Sequence, residues 1–199
     1  MSFFQASKSL SRISQTLDAS CKVVFPPCSS LMGSLAQQLR LDANCGADYN
    51  LQNPTVRQAY NGLRAYDPLY RAGCEKDDNS TYCFASAITN STSPSDSYIY
   101  YLPLGVSLPG GSQPTCSGCL RSTMAIFNEA ASNKSQLING DYASAAQLID
   151  LGCGPGFVNA TVPQGKGTSA SSSGTRKTST SPALALVFLV VGVWVQQLI

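Results

Sequence analysis

The sequence predicts a mainly α-helical domain held by disulfide bonds and containing long ordered loops, followed by a disordered Ser/Thr-rich stalk and a hydrophobic C-terminal tail. In several segments apolar residues recur every three or four positions, as on one face of a helix, and no segment has the period of two that is typical of a strand. Eight cysteines lie between positions 21 and 153, and Ser, Thr and Gly dominate residues 164–182. We therefore expect a helical ectodomain over residues 1–162, a stalk over 163–182 and a tail over 183–199.

The first predicted helices lie in residues 1–20 and directly after Cys28. Residues 1–20 have one apolar face, which predicts a helix packed on the core rather than a targeting segment. That face consists of Phe3, Ala6, Leu10, Ile13 and Leu17. Ser29 is a suitable N-cap for the next helix. The apolar positions of that helix are Leu31, Leu35 and Leu39.

The best-supported helix begins at Asn53-Pro54, because Asn is a favoured N-cap and Pro is tolerated at the first helical position. Cys83–Thr89 predicts a further short helix, and the Ser-, Pro- and Gly-rich residues 91–114 predict an ordered loop. The apolar face of the helix after Asn53 consists of Val56, Tyr60, Leu63, Tyr66 and Tyr70.

Two more helices complete the domain. One is expected from near Thr115, and the last is expected from about Asp141 to Gly152, which is a natural C-terminal cap. The apolar positions of the first of these are Leu120, Met124 and Phe127. Those of the last are Ala145, Leu148, Ile149 and Leu151.

Composition excludes several classes of function. The chain is 43% hydrophobic and 12% charged, with a formal net charge of +2, so it lacks the basic surface that nucleic acid binding requires. It contains no histidine, which excludes Ser-His-Asp and Cys-His catalysis and mixed Cys/His zinc sites.

The even number of cysteines, widely spaced, is typical of disulfide bonds formed in an oxidising compartment. Eight polar, turn-prone residues separate Cys74 from Cys83, so we expect those two to pair and close a surface loop. The full set is Cys21, Cys28, Cys45, Cys74, Cys83, Cys116, Cys119 and Cys153.

Cys116 and Cys119 have the spacing of a redox-active CxxC motif. The residues before them, Gly110 to Pro114, do not form the buried strand that a thioredoxin-like site needs, which favours structural bridges. A four-thiolate zinc site would need a second CxxC, and the sequence has none.

Four glycosylation sequons agree with secretion, whereas Asn53 is blocked by Pro54. The acceptor residues are Asn79, Asn90, Asn133 and Asn159.

The C-terminal residues have the layout of a GPI-attachment signal, with small residues, a polar spacer and a short hydrophobic end. This layout predicts attachment at Ser172, with Ser171 or Ser173 as alternatives. The uncharged run at 183–195 is shorter than the roughly 20 residues that a transmembrane helix needs. A tail anchor that stays in place is the alternative interpretation.

A GPI signal acts only on a chain in the secretory lumen, yet residues 1–20 lack the features of a signal peptide. Either the chain is cytosolic and tail-anchored, or Met1 is internal to a longer reading frame with its signal upstream. The cysteines and sequons favour the second interpretation. On that interpretation part of the core or of a cysteine network lacks its partner in this form.

Eleven acidic residues could supply paired carboxylates, but only Glu75 and Glu129 are glutamates, and Asp77 and Asp78 lie in a predicted solvated loop. Asp96 stands among tyrosines, as in many sugar-binding surfaces, although the same rings could instead pack the loop onto the helices. The candidate binding surface therefore consists of Asp96, Tyr98, Tyr100 and Tyr101.

Four segments also carry a resemblance to a known family, and SPSDSYIYYLPLG is the most specific part. The segments are AYNGLRAYDPLYRAGC, YCFASAITNSTSPSDSYIYYLPLGVSLPGG, PTCSGCLRSTMAIF and LGCGPGFVNAT. Over about residues 3–162 the chain resembles filamentous-fungal, GPI-anchored, cysteine-rich proteins built around a domain of unknown function. Members generally begin with a signal peptide and a further cysteine-bearing stretch, which this sequence does not show. The resemblance implies a location at the cell surface and no particular activity.

We expect a non-enzymatic structural or binding role at the outer face of the plasma membrane or in the cell wall, without cofactor or metal. The expected partners are the membrane, through the GPI lipid, and a cell-wall glycan, but not nucleic acid. One alternative is a secreted carboxylate-dependent glycan-modifying enzyme, which would require two acids facing one cleft. Another is the tail-anchored membrane protein. The ligand, the oligomeric state and most disulfide pairings stay open.

Overall fold

The structure, a computed structural model, describes residues 3–163, so the predicted stalk, the hydrophobic tail and Ser171, Ser172 and Ser173 lie outside the described residues. The prediction of a mainly helical fold is confirmed. Among the described residues the β pairing is one isolated antiparallel bridge, between Lys76 and Tyr82. The helices of this part of the chain are α1 Phe3–Ala6, α2 Leu10–Ser20, α3 Phe25–Leu39, α4 Gly46–Asn50, α5 Pro54–Arg64, α6 Tyr66–Gly73, α7 Cys83–Thr89, the 3₁₀ helix Pro94–Leu104, α8 Gly118–Ala131 and α9 Ile138–Cys153.

The larger core lies where α8 and α9 pack against each other and against the 3₁₀ helix. Met124 and Phe127 of α8 and Tyr142 of α9 are fully buried there. The Tyr142 hydroxyl lies 3.2 Å from the carbonyl oxygen of Met124 and 2.8 Å from that of Asn159. These contacts hold the segment after α9 against the core.

A smaller core joins α2 to α7 through Ile13, Leu17 and Ala85. The amphipathic N-terminal helix is interrupted at residues 7–9, which separates α1 from α2. Phe3 and Leu10 were expected on the core, but their side chains are 48% and 46% exposed. The apolar face therefore packs only in part.

The layer formed by α3, α4 and α5 is the least buried part of the described fold. Ala36 is the buried residue of α3, and α5 has none. The predicted N-cap of α5 is confirmed, because the side-chain oxygen of Asn53 accepts from the backbone N–H groups of Thr55 and Val56, at 3.1 and 3.4 Å.

Several predicted boundaries differ from the structure. Helix α3 begins at Phe25 because two prolines fill its first turn, where proline is tolerated. The helix predicted to continue through Tyr70 divides into α5 and α6 at Ala65, because Pro68 has no N–H with which to continue the ladder. The predicted bounds of α7 are confirmed.

The segment predicted as an ordered loop contains the 3₁₀ helix, which follows Ser93 and ends at Gly105 with a φ of 77°. Helix α8 begins after Ser117, whose hydroxyl accepts from the Leu120 N–H at 3.1 Å, and not near Thr115. Helix α9 is longer than predicted at both ends, and Gly154 caps it instead of Gly152.

Three disulfides connect the helices, and the predicted Cys74–Cys83 pair is wrong. Cys74 bonds to Cys21 and Cys83 bonds to Cys119. The loop between Cys74 and Cys83 is closed by backbone pairing instead, because the Cys83 N–H donates to the Glu75 carbonyl at 2.9 Å.

The third bridge joins Cys116 to Cys153. The start of α8 is thereby bonded both to α7 and to the end of α9. Cys28 and Cys45 were expected within the disulfide framework, but both are free and half-buried. The wide sequence separations of the bridges, 53, 36 and 37 residues, explain why spacing alone could not identify the partners.

Candidate functional site

Asp96, near the start of the 3₁₀ helix, joins three segments of the chain. Its Oδ2 accepts from the side-chain amide of Asn90 at 2.7 Å. Its Oδ1 accepts from the Ser93 hydroxyl at 2.9 Å and from the Thr115 backbone N–H at 2.6 Å. The carboxylate therefore fixes the end of α7 and the segment before α8 relative to the 3₁₀ helix.

A cleft of about 460 Å³ opens beside Asp96. Its walls come from α7, the 3₁₀ helix and the beginning of α8, and α2 contributes Leu10. The apolar wall includes Leu10, Ala87, Ile99, Tyr100 and Leu120. The polar lining includes Asp77, Ser86, Asn90, Asp96, Thr115 and Ser117.

Three polar groups of the cleft are available to a ligand. Among the described residues, the hydroxyls of Ser86 and Thr115 make no hydrogen bond. Asp77 uses only its Oδ1, which accepts from the backbone N–H groups of Asn79 and Thr81 at 2.9 and 2.8 Å. The residues that carry these two hydroxyls and this carboxylate oxygen thus line a cleft together with apolar side chains, a combination common in small-ligand sites.

The three tyrosines predicted to surround Asp96 do not form one surface. Tyr100 lines the cleft, but its ring is 6% exposed and its hydroxyl lies 3.3 Å from that of Thr123. Burial raises the pKa of Tyr100 to about 12. Tyr98 and Tyr101 are 37% and 47% exposed and lie outside the cleft lining. Of the predicted surface, the cleft therefore contains Asp96 and Tyr100.

The two acids that line the cleft are Asp77 and Asp96. Both oxygens of Asp96 receive hydrogen bonds from fixed donors, whereas a general acid must itself donate a proton. Glu75 and Glu129 are outside the lining. Glu129 pairs with Arg71 at 2.6 Å, and the hydrogen bond from Arg71 lowers the pKa of Glu129.

The comparison with protein families identifies the domain. A family model described as a domain of unknown function (DUF7729) matches residues 1–162. The chain belongs to this family. Comparisons with curated proteins and with solved structures found no match.

The sequon asparagines of the DUF7729 domain have two kinds of surroundings. Asn79, Asn133 and Asn159 are exposed, so the folded domain has room for a glycan at each. Asn90 is half-buried, lines the cleft and donates its amide to Asp96. A glycan attached to Asn90 would therefore lie beside the cleft.

The CxxC cysteines do not form a dithiol pair, because Cys116 and Cys119 belong to different disulfides. Among the described residues, no cluster of three or more His, Cys, Asp or Glu side chains could hold a metal ion. In the same part of the chain, no helix combines the length and the hydropathy needed to cross a bilayer.

Sequence reasoning missed Ser86, Thr115 and the cleft position of Asn90 and Asp77. These residues come from three separate segments, and only the fold brings them together. The one feature of the sequence that pointed to the cleft was Asp96, because a carboxylate in a Ser- and Pro-rich segment needs hydrogen-bond donors nearby. Its donors mark the cleft.

Proposed function

We propose that this protein is a GPI-anchored glycoprotein of the fungal cell surface or cell wall whose helical domain binds a glycan without catalysing a reaction. The observation that carries the proposal is the cleft, whose lining combines apolar side chains with Ser86 and Thr115, whose hydroxyls are unpaired, and with Asp77, one of whose oxygens is unpaired. A sugar ring offers hydroxyls to such groups and an apolar face to such a wall.

The disulfides support the cellular location. Three disulfides are consistent with an extracellular protein, because reducing compartments keep thiols unpaired. Exposed sequon asparagines at positions 79, 133 and 159 agree with passage through the secretory pathway. The small residues at 171–173 and the hydrophobic end of the sequence support a GPI anchor.

The charges of the cleft restrict the ligand class. Cys83 and Cys119 also line the cleft but are bonded to each other. The other ionisable residues of the lining are Asp77, Asp96 and the buried Tyr100. Carboxylates repel an anionic ligand in such a site. The proposed ligand is therefore a glycan without acidic groups.

A glycan array probed with the full chain, produced in a eukaryotic secretory host behind an added signal peptide, tests the proposal. We expect binding to neutral or amino-sugar oligosaccharides, weakened about 2- to 10-fold by Thr115→Val, since a hydrogen bond contributes about 0.5–1.5 kcal/mol. Thr55→Val is the matched control, because Thr55 is exposed on α5 away from the cleft. Failure of every glycan to bind, or equal loss in both variants, would contradict the proposal.

The glycan on Asn90 is a necessary control in that experiment. The Thr92→Ala variant removes the sequon without changing a lining residue, although it also removes the Thr92 hydroxyl hydrogen bond to Asn90. Binding that appears only in Thr92→Ala would show that the protein's own glycan occupies the cleft.

A glycan-modifying enzyme is the second candidate, because Asp77 and Asp96 line the same cleft. Incubation of each bound oligosaccharide followed by mass spectrometry separates the two candidates. New reducing ends that disappear in Asp77→Asn would favour the enzyme, and unchanged ligand would favour binding alone.

A further inference from the structure

Arg40 and Arg57 share a pair of tyrosine rings where the end of α3 and helix α4 meet α5. The guanidinium carbon of Arg40 lies 5.0 Å from the centre of the Tyr49 ring and 5.7 Å from that of the Tyr60 ring. The guanidinium carbon of Arg57 lies 4.7 Å from the centre of the Tyr49 ring. The two rings meet edge to face, with their centres 4.9 Å apart. Cation–π contacts therefore hold both guanidinium groups against the rings.

A pocket of about 250 Å³ opens at this cluster. Two arginines, Arg40 and Arg64, contribute to its lining. Among the described residues the lining contains no Asp or Glu, and it shares no residue with the cleft beside Asp96. The other lining residues are Ala36, Gln37, Leu41 and Tyr60. The pocket is thus separate from the cleft and opposite to it in charge.

Arg64, the last residue of α5, is held in place at one side-chain nitrogen. Its Nη2 donates to the Ser135 carbonyl at 3.1 Å and to the Ser135 hydroxyl at 2.8 Å. Its Nε and Nη1 make no hydrogen bond within the described part of the chain. The half-buried side chain is thereby fixed in position and keeps donors for a ligand.

The charges of these arginines are not neutralised within residues 3–163. Both ion pairs of this part of the chain involve other side chains. The guanidinium groups of Arg40 and Arg57 also make no hydrogen bond there. The neighbouring acidic residues Asp42, Asp48 and Asp67 lie outside the pocket lining. An anionic group in the pocket would therefore meet cations that have no carboxylate partner.

The ends of two helices oppose this positive charge only in part. Arg40 is the C-cap of α3 and Arg64 ends α5, and a helix C-terminus carries about half a negative elementary charge. Two such ends amount to about one negative charge, against the full positive charges of Arg40 and Arg64 and the nearby charge of Arg57. The pocket therefore favours an anion.

We propose that this pocket binds a phosphate monoester, with Arg40 and Arg64 as the residues that hold its oxygens. The planar fork of a guanidinium group matches a pair of phosphate oxygens. A phosphate monoester offers three terminal oxygens and close to two negative charges at neutral pH. A carboxylate offers two oxygens and one charge. Two guanidinium forks from two helices therefore favour the phosphate.

The size and the remaining lining of the pocket define the rest of the ligand. Its volume of about 250 Å³ is below the roughly 300–1,000 Å³ of sites for drug-sized ligands, so the body attached to the phosphate is small. Ala36, Leu41 and Tyr60 offer apolar surface to such a body, and the Gln37 amide can bind a hydroxyl. A sugar phosphate combines these properties.

Calorimetric titration of the full chain, produced in a eukaryotic secretory host, tests the proposal with glucose 6-phosphate as the probe. We expect this compound to bind more tightly than inorganic phosphate, which lacks the body. It should also bind more tightly than glucuronate, which has a carboxylate in place of the phosphate ester. Phosphatidylcholine vesicles that contain phosphatidic acid present the same phosphate group on a lipid and distinguish that source.

Arginine variants locate the binding. Arg40→Gln should weaken the affinity for glucose 6-phosphate about 10- to 100-fold, the range expected for a hydrogen bond to a charged group. Arg40→Lys should restore only part of the loss, because lysine keeps the charge without the fork. Arg12→Gln is the matched control, since it removes the same charge from an exposed position on α2.

Arg64→Gln should weaken the affinity by a similar factor, although it also removes the hydrogen bonds to Ser135. If that variant does not fold, the Arg40 variants decide the question, because the Arg40 side chain is exposed and makes no hydrogen bond within the described residues. Thr115→Val should leave the affinity unchanged, because Thr115 lines the cleft and not this pocket. The outcome is therefore independent of glycan binding in the cleft.

Absence of glucose 6-phosphate binding would overturn the proposal, as would equal losses in Arg40→Gln and Arg12→Gln. Full affinity in Arg40→Lys would contradict recognition by a guanidinium fork. Tighter binding of glucuronate would indicate a carboxylate site instead. Binding of the phosphatidic acid vesicles without binding of glucose 6-phosphate would indicate a lipid surface and would also overturn the proposal.

Discussion

At the residue scale, Asp96 performs a structural task that its position in the sequence does not reveal. Its carboxylate accepts hydrogen bonds from Asn90 and Ser93, in the connection between α7 and the 3₁₀ helix, and from Thr115, before α8. A carboxylate in this environment holds its neighbours in place, and two of them, Asn90 and Thr115, line the cleft with it.

Replacement of Asp96 by Asn should destabilise the domain. One carboxylate oxygen becomes an N–H₂ group, which faces donors and leaves at least one of them unpaired, at a cost of about 1–3 kcal/mol. Urea denaturation measures the loss. Asp78→Asn is the matched control, because Asp78 is exposed. Equal effects of the two substitutions would contradict the role assigned to Asp96.

The Arg71–Glu129 ion pair should give a small, pH-dependent contribution. The hydrogen bond from Arg71 lowers the pKa of Glu129, so the fold favours the ionised carboxylate. The contribution is present above the pKa of the unfolded chain and is lost as pH falls through the lower folded value. The side chains are 44% and 66% exposed, so Glu129→Gln should cost less than about 1 kcal/mol at pH 7.

Denaturation of wild type and Glu129→Gln at several pH values measures this contribution. The difference between them should shrink in acid, where both side chains are neutral, and in high salt. A difference that grows in acid would contradict the assignment.

At the element scale, the sequence predicted helix boundaries correctly where they depend on neighbouring residues, such as a capping side chain. The Asn53-Pro54 cap and the bounds of α7 depend on adjacent residues and were predicted correctly. The 3₁₀ helix was not predicted, because its apolar residues Ile99, Tyr100 and Leu102 follow no helical face and are buried by α8 and α9. The short helix α4 was missed for a similar reason, since it depends on the turn after α3.

Loss of the N-cap of α5 should lower the free energy of unfolding by about 1 kcal/mol. Asn53→Ala removes the acceptor for the Thr55 and Val56 N–H groups, and N-cap replacements of this kind typically cost about that much. Gln58→Ala, at an exposed position within α5, is the control. Thermal denaturation should show a lower Tm for Asn53→Ala alone, and an unchanged Tm would exclude a stabilising cap.

At the scale of the whole molecule, the disulfide partners and the lining of the cleft depend on tertiary contacts that the sequence does not reveal. The disulfide framework was predicted from the number of cysteines, but the partner of Cys74 depends on where α2 ends. The cleft itself was not predicted; the predicted binding surface shares only Asp96 and Tyr100 with it, because Ser86 and Thr115 become neighbours after folding. Residues that converge from distant segments leave no periodic pattern in the sequence.

The disulfides should contribute much of the stability of the domain. In the chain-entropy view, closing the loop between Cys21 and Cys74 is worth about 4 kcal/mol. A Cys21→Ser/Cys74→Ser double variant should lose a comparable amount, measured by urea denaturation in a Cys28→Ser/Cys45→Ser background that prevents thiol exchange. A loss below about 1 kcal/mol would contradict a stabilising role for this bridge.

The most direct test of glycan binding in the cleft is a titration of the isotopically labelled full chain with a bound oligosaccharide, followed by amide NMR shifts. The account predicts that the largest shifts cluster at residues 86–90, at Asp96 and at 115–120, which line the cleft. Shifts concentrated elsewhere, such as at Tyr98 and Tyr101 or along α3, would contradict it.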